Sequence, residues 1–233
     1  MLATHLKPKI SIILPCQNEE DNIGQCLLTI RQILQDNNLA GEIIVSDSST
    51  DRSAEIAEPL ADRVVRHGKN GYGVAYLEGF DVARGDYLFL ADADGTYDFN
   101  EIPRFINFLE NDEYDLVIGN RFRGKIYRGA MPFLRRRFGN PVLTFIFRRL
   151  YQLPVGDIHC GMRAIKINSL KKLSLNAPGM EFASEMLIKA HQHQLRVKEL
   201  PIDYFPRQGL SKLRAFPDGW RHLKLMFYHR FIR

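Results

Sequence analysis

Cysteine is scarce in this chain. The three present, Cys16, Cys26 and Cys160, are an odd set without the close spacing of a metal-binding pair. That excludes a disulfide framework and points to a reducing compartment. Long apolar runs are missing too, since no stretch approaches the roughly 18 residues that a membrane-spanning helix needs. The opening MLATHLKPKI has no apolar core of the kind a secretory leader carries. Repeats, low-complexity segments and a strongly basic tail are also lacking, so no nucleic-acid partner is expected. These absences predict a cytoplasmic chain that touches the cytoplasmic face of a membrane at most, without crossing it.

What is present is an ordinary globular composition: 233 residues, 45% hydrophobic and 25% charged, enough for one sizeable core. The net charge of +5 favours an anionic partner such as a phosphate, a nucleotide or an acidic membrane surface.

The first half alternates short apolar runs with helical spacing. Strands are predicted over 10–15, 42–47, 63–67 and 86–94, with helices between them. Ile23, Leu27, Ile30 and Leu34 mark the first helix. Asn18 is placed to cap it, with Glu19, Glu20 and Asp21 near its positive end. Further on, strands are predicted over 115–122 and 197–205 and a helix over 181–195. Helical patches across 128–153 are interrupted at Pro132 and Pro141. The alternation predicts an α/β fold with a mostly parallel central sheet flanked by helices. One domain over 1–215 is expected, with 216–233 as a C-terminal amphipathic helical appendage. Ligands of such sheets bind beyond the carboxyl ends of the strands. The polar clusters at 15–20, 47–51 and 92–98 fall there.

The stretch LADADGTYDF poses the sharpest question, because it puts Asp92 and Asp94 at the tip of an apolar run. Alternate side chains share a direction, so both carboxylates can face one cation, and a pair of hard oxygens suits Mg²⁺ or Mn²⁺. A solvated turn is the plainer reading. A calcium loop of the EF-hand type is excluded, because Tyr97 and Pro103 stand where its glycine and glutamate belong. HGKNGYGVAYLEG sets Lys69, Gly71 and Gly73 before a helix, either as a phosphate cradle or as a plain turn. It is neither a dinucleotide fingerprint nor a P-loop.

PCQNEED, VSDSSTDRS, KNGYGVA, LADADGTYDF, VIGNRFRG, GDIHCGMRA, GMEFASEMLIKA and PRQGLSKLR follow one another in an order that resembles family 2 glycosyltransferases of the GT-A fold. Within them the order is most similar to the polyprenyl (dolichyl) phosphate sugar synthases. The resemblance runs over nearly the whole chain. It implies that Pro15, Asn18 and Glu19 hold the donor's nucleoside, that Asp47 meets the base or ribose, and that Asp51 shapes the adjoining loop. Asp92 and Asp94 match the pair that ligates Mg²⁺ or Mn²⁺ on the donor diphosphate. Arg121 matches an arginine near the acceptor phosphate, and Asp157, Gly161 and Arg163 match a segment flanking the reaction centre, with Arg163, like Lys69, expected to bind the donor. Arg207, Ser211 and Lys212 match a loop that closes over the phosphates. Two positions depart from the pattern. Ser46 stands where many relatives carry an acid, and Thr96 where the mannose enzymes carry a glutamine.

The activity so implied is inverting transfer of one sugar from a UDP- or GDP-sugar to a polyprenyl phosphate. A phosphate monoester has a second pKa of about 6, so it is ionised at neutral pH and needs no base. An alcohol acceptor needs one, and Glu181 or Glu185 is then the candidate. A sugar nucleotidyltransferase is the neighbouring alternative, though PCQNEED lacks its glycine-rich loop. A non-catalytic basic module for membrane or RNA is the remaining one. Arg135, Arg136, Arg137, Arg148 and Arg149 interleave with phenylalanines, either as a membrane-surface face or as a solvated side of packed helices. Oligomeric state is left open.

Overall fold

The computed structural model describes residues 7–209 and 215–232. Two of the expected site residues, Ser211 and Lys212, lie outside them.

Seven strands form one sheet in the order β3-β2-β1-β4-β6-β5-β7. The first half supplies β1 (Ile10–Cys16), β2 (Gly41–Asp47), β3 (Arg63–Arg66) and β4 (Tyr87–Leu90), all parallel. The second half supplies β5 (Leu116–Asn120), β6 (Arg163–Lys166) and β7 (Val197–Pro201). Strand β6 runs antiparallel to both β4 and β5, while β7 is parallel to β5. The sheet is therefore mostly parallel, as expected, with one reversed strand at its centre.

Both faces are covered, which is why these strands read as continuous apolar runs rather than alternations. In β1, Ile12 and Leu14 enter one core with α1 (Ile23–Asp36) and α4 (Ile102–Glu110), where Phe89 meets Phe105. Ile13 points the other way, toward α3 (Tyr72–Val82), α5 (Asn140–Tyr151), α6 (Ile167–Leu173) and α7 (Phe182–Gln192). A short α2 (Ser53–Ala57) links β2 and β3.

Helix α8 (Ala215–Phe231) belongs to this second layer. It packs against α5 and α7, puts Met226 into the core, and accepts a 2.6 Å hydrogen bond from the Tyr151 hydroxyl at the Met226 carbonyl. The segment expected as an appendage is thus seated in the molecule.

Local corrections follow the same logic. Asn18 does not cap α1, which begins at Ile23 after Asn22. Asn18 instead takes a left-handed backbone (φ 54°), and its side-chain oxygen accepts the Thr50 amide at 2.8 Å, tying the β1–α1 loop to the β2–α2 loop. Pro141 does not interrupt the 128–153 region. Helical backbone runs through it from 133 to 151, and the π-helical turn over Arg135–Gly139 just before it is the kind of local irregularity that accommodates a residue without an N–H.

Candidate active site

The carboxyl ends of β1, β2 and β4 open onto a cavity of about 170 Å³. Strand order sets its layout. Pro15, Gln17, Glu19 and Ser48 wall the end over β1 and β2, and Asp92 and Asp94 stand in the middle beyond β4. The lead into antiparallel β6 brings His159 to the far side, where Met180, Ala183 and His222 complete the wall. Arg121, Arg135, Tyr204 and Arg207 close it from the β5–β7 side.

Asp94 is held by Thr96, whose amide (3.1 Å) and hydroxyl (2.6 Å) both donate to one of its oxygens. Its other oxygen pairs with Arg207 at 3.2 Å. Arg207 also pairs with Glu19, so one guanidinium ties the β1 loop to the β4 loop. Asp92 is different. It accepts the Tyr72 hydroxyl at 3.0 Å, and burial together with the Asp94 charge pushes its carboxyl up to about 7. Those two causes outweigh the Tyr72 hydrogen bond and the Arg207 and Arg121 charges. Asp94 has its cation in Arg207, and Asp92 is the carboxylate left short of one, with no ion-pair partner among the described residues.

That shortage is the test of a metal site, and the residues fit. Two carboxylates on one cavity wall offer hard oxygens of the type Mg²⁺ and Mn²⁺ take, and these ions bind through one or two carboxylates plus phosphate and water. Among the described residues no third histidine, cysteine or acid joins them in a cluster, which leaves the other positions to a substrate.

The neighbouring segment explains its own residues. Asp157, fully buried, grips Arg121 through both oxygens at 2.7 and 2.9 Å and takes the Arg121 amide as well. The Arg121 guanidinium lies 5.0 Å over the Tyr204 ring. Gly161 has no side chain because a Cβ there would stand 2.7 Å from an Asp92 oxygen and 2.8 Å from the Tyr72 hydroxyl. Its amide donates to the Tyr97 hydroxyl at 2.8 Å.

Four expected donor contacts, Asn18, Asp47, Lys69 and Arg163, do not line the cavity; Asn18 is turned to the Thr50 amide. Arg163 does not line the cavity; buried, it gives its donors to the carbonyls of Cys160, Ile158 and Ala183 at 2.7 to 2.9 Å. Lys69 pairs with Glu78 at the surface, 3.0 Å away. Of the glycines beside it, Gly71 lines the cavity, while Gly73 serves packing: a Cβ there would stand 1.9 Å from the Ala177 carbonyl, and the Pro178 carbonyl takes the Val74 amide at 3.1 Å. Asp47 is buried behind the wall, accepting the Ser49 hydroxyl at 2.6 Å, and its neighbour Ser48 is the residue that faces the cavity. Asp51 shapes the same loop by accepting from the Ser53 amide at 2.9 Å.

Neither candidate base reaches the cavity. Glu185 is fully buried, accepts the amides of Asn176 and Ala177, and pairs with Lys189 at 2.8 Å. Glu181 accepts the Gly179 amide at 3.2 Å and borders a separate surface hollow with Arg221 and Lys224. The cavity's own acids are Glu19, Asp92 and Asp94. The sequence reading missed Tyr72, Arg135, His159, Tyr204 and His222 as wall residues, since nothing in their local pattern marks them.

The profile of Glycosyl transferase family 2 matches residues 11–174. The low-salt glycan biosynthesis hexosyltransferase Agl6 of Haloferax volcanii is 42% identical over 95% of this chain, which spans about half (54%) of that protein's length. The dolichyl-phosphate hexose transferase of the same organism is 31% identical over 90% of this chain and 89% of its own. Among solved structures, glucosyl-3-phosphoglycerate synthase from Mycobacterium tuberculosis, in complex with Mn²⁺, UDP and glucosyl-3-phosphoglycerate, superposes with a TM-score of 0.74. It covers 96% of this chain and 80% of its own at 21% identity, a likeness of fold.

Proposed function

The chain belongs to glycosyl transferase family 2, and from that premise we propose that it moves a hexosyl group from a nucleotide diphosphate sugar to a lipid-linked phosphate of the polyprenyl or dolichyl type, with Mg²⁺ or Mn²⁺. The observation that carries this reading is which charged groups face the cavity. Arg121, Arg135 and Arg207 do. Its own acids are Glu19 and Asp94, which pair with Arg207, and Asp92, which is assigned with Asp94 to the metal, and Glu181 and Glu185 stand outside it. A phosphate nucleophile asks for that arrangement, cations to hold it and no base to deprotonate it.

In the proposed reaction the β1 and β2 loops seat the nucleoside over Pro15, Gln17 and Ser48. Asp92 and Asp94 would hold the divalent ion, which when bound neutralises charge on the departing diphosphate. Arg207, already bridging Glu19 and Asp94, adds a second positive group beside that leaving group. On the other side Arg121 is fixed in orientation by Asp157. Arg135 has no carboxylate partner among the described residues, and burial with the nearby Arg121 and Arg207 charges lowers its pKa. An acceptor phosphate relieves that repulsion. Its oxygen then attacks the anomeric carbon from the face opposite the diphosphate, which inverts the configuration. Ser211 and Lys212 keep their proposed part in a loop over the phosphates.

The membrane is the proposed source of the acceptor. No helix among the described residues is long and apolar enough to cross a bilayer. Large apolar side chains on the π-turn, α5 and α8 nevertheless stand in solvent, among them Phe133, Phe138, Phe145, Phe216 and Trp220. Arginines flank them, which suits an anionic lipid surface.

Incubating the protein with a panel of UDP- and GDP-sugars and MnCl₂, with and without a short polyprenyl phosphate, tests the reading. Transfer is expected from one donor, to the lipid phosphate, and only with metal. Glu181→Gln should keep it. Transfer to an alcohol that Glu181→Gln abolishes, or no metal-dependent donor binding at all, would overturn the proposal.

A further inference from the structure

Tyr72 touches the aspartate pair, and the reaction just described gives it no part. It opens α3, and its hydroxyl donates to Oδ1 of Asp92 at 3.0 Å. The ring is braced edge to face against Tyr76, 5.0 Å between centroids, and against Phe182 at 6.4 Å. The backbone behind it is tied down as well, since the Val74 amide donates to the Pro178 carbonyl at 3.1 Å. A phenol is a donor at neutral pH, and this one is fixed by its neighbours.

The consequence lies in what each carboxylate has left to offer. Both oxygens of Asp94 are engaged, Oδ1 by the Thr96 amide and hydroxyl and Oδ2 by Arg207. Asp92 gives only Oδ1, to Tyr72. Its Oδ2 has no hydrogen-bond partner among the described residues, and it is not one of the polar atoms sealed from solvent. The neighbouring position 161 is glycine, and a Cβ there would stand 2.7 Å from Oδ2. Asp92 therefore presents one open oxygen, and Tyr72 is the group that makes it one rather than two.

We propose that Tyr72 is a positioning residue that limits Asp92 to a single oxygen for the cation, and so favours Mg²⁺ or Mn²⁺ over Ca²⁺. The inference rests on the metal reading above and goes beyond it by assigning the residue that decides which ion fits. A small octahedral ion binds through one or two carboxylates and fills its shell with phosphate oxygens and water. Calcium takes about six to eight oxygens and often grips a carboxylate through both of its own. A carboxylate with one oxygen committed serves the first and fails the second. Thr96 restricts Asp94 in the same sense. Holding Asp92 still also favours the ion with the stricter geometry.

Electron paramagnetic resonance of free Mn²⁺, with the whole chain and UDP or GDP, tests this without any turnover. Mg²⁺ or Ca²⁺ is then added to displace the bound ion, which gives their relative affinities. Tyr72→Phe keeps the ring and removes the donor. Its ratio of Ca²⁺ to Mg²⁺ affinity should rise roughly fivefold over wild type, the effect of losing one ordinary hydrogen bond. Tyr76→Phe removes a hydroxyl 3.5 Å from that of Tyr72 and should leave the ratio as it is. An unchanged ratio in Tyr72→Phe would overturn the inference, whether the three ions bind as before or all weaken together with a lowered melting temperature. A wild-type chain that takes up no Mn²⁺ with either nucleotide overturns the metal reading and the inference with it, a result distinct from the others.

Discussion

At the scale of single residues, Arg163 separates a role in the fold from a role in binding. Its guanidinium is buried with three carbonyl acceptors and no carboxylate partner among the described residues. Those carbonyls belong to the loop that carries Cys160 and His159 and to α7, so one side chain pins two walls of the cavity. Arg163→Met would strand them without a donor, at a cost on the order of 3–5 kcal/mol. For a chain of this length that is about a 10 °C loss in melting temperature. Thermal unfolding by circular dichroism checks it. A variant that melts like the wild type but loses donor affinity would return Arg163 to the donor contact expected of it. The same contrast shows what is legible at this scale. Asp92 and Asp94 are readable because paired charge at the tip of an apolar run demands an explanation, whereas Arg121 and Asp157 are marked only by the family resemblance. Tyr72, His159 and His222 carry no such mark. They matter through contacts made 20 to 63 positions apart, such as the Tyr72 hydroxyl on Asp92 and the His159 ring against His222.

At the scale of elements, α8 is tied to the site by a group that titrates. Burial, with the Arg163 charge added, lowers the pKa of His222 from 6.5 to about 4. Between those values the folded chain holds fewer protons at this site than the unfolded one, so acid favours unfolding. The stability is complete above about pH 6.5 and is lost as pH falls toward 4, roughly 3 kcal/mol in all. His159, depressed as well, acts in the same sense. Asp92, raised by burial, acts in the opposite one, losing stability as pH rises. The comparison that isolates His222 is therefore between variants: melting temperature from pH 7.5 to 4.5 should fall less steeply in His222→Gln than in the wild type. Equal slopes would detach α8 from this account. Most elements were open to sequence reading, because β1, β2, β4 and β5 are uninterrupted apolar runs and α1 and α7 show helical spacing. Helix α4 is one omission, as are α6 and β6: in α4 Ile102, Phe105, Ile106 and Leu109 share one face, but nine residues make little more than two turns directly after an acidic loop. Strand β6 has only four residues, RAIK, and its reversed pairing with β4 and β5 is set by partners far away in the chain.

For the molecule as a whole, the cavity and the exposed aromatic surface meet at one place. Arg135 lines the cavity, while Phe133 and Phe138 on either side of it are exposed. Helix α8 packs on α5 and on the π-turn, and it leaves Phe216 92% and Trp220 69% exposed beside them. A phosphate carried on a lipid could therefore reach the cavity arginines while its tail stays in the bilayer. Exposed aromatics of this size cost a soluble surface something, and each gains about 1.5–3 kcal/mol when buried in an apolar phase. The arginines add attraction to anionic headgroups that salt screens. Trp220 is the single tryptophan of the chain, which makes its fluorescence a clean reporter. Phosphatidylglycerol vesicles should shift its emission to the blue and sediment the protein. Zwitterionic vesicles or high salt should weaken both effects. Phe216→Ala combined with Phe138→Ala should reduce sedimentation at least tenfold while metal-dependent nucleotide binding holds. Emission unchanged by anionic vesicles would mean that this face meets something other than a membrane, and the lipid acceptor would lose its route to Arg135.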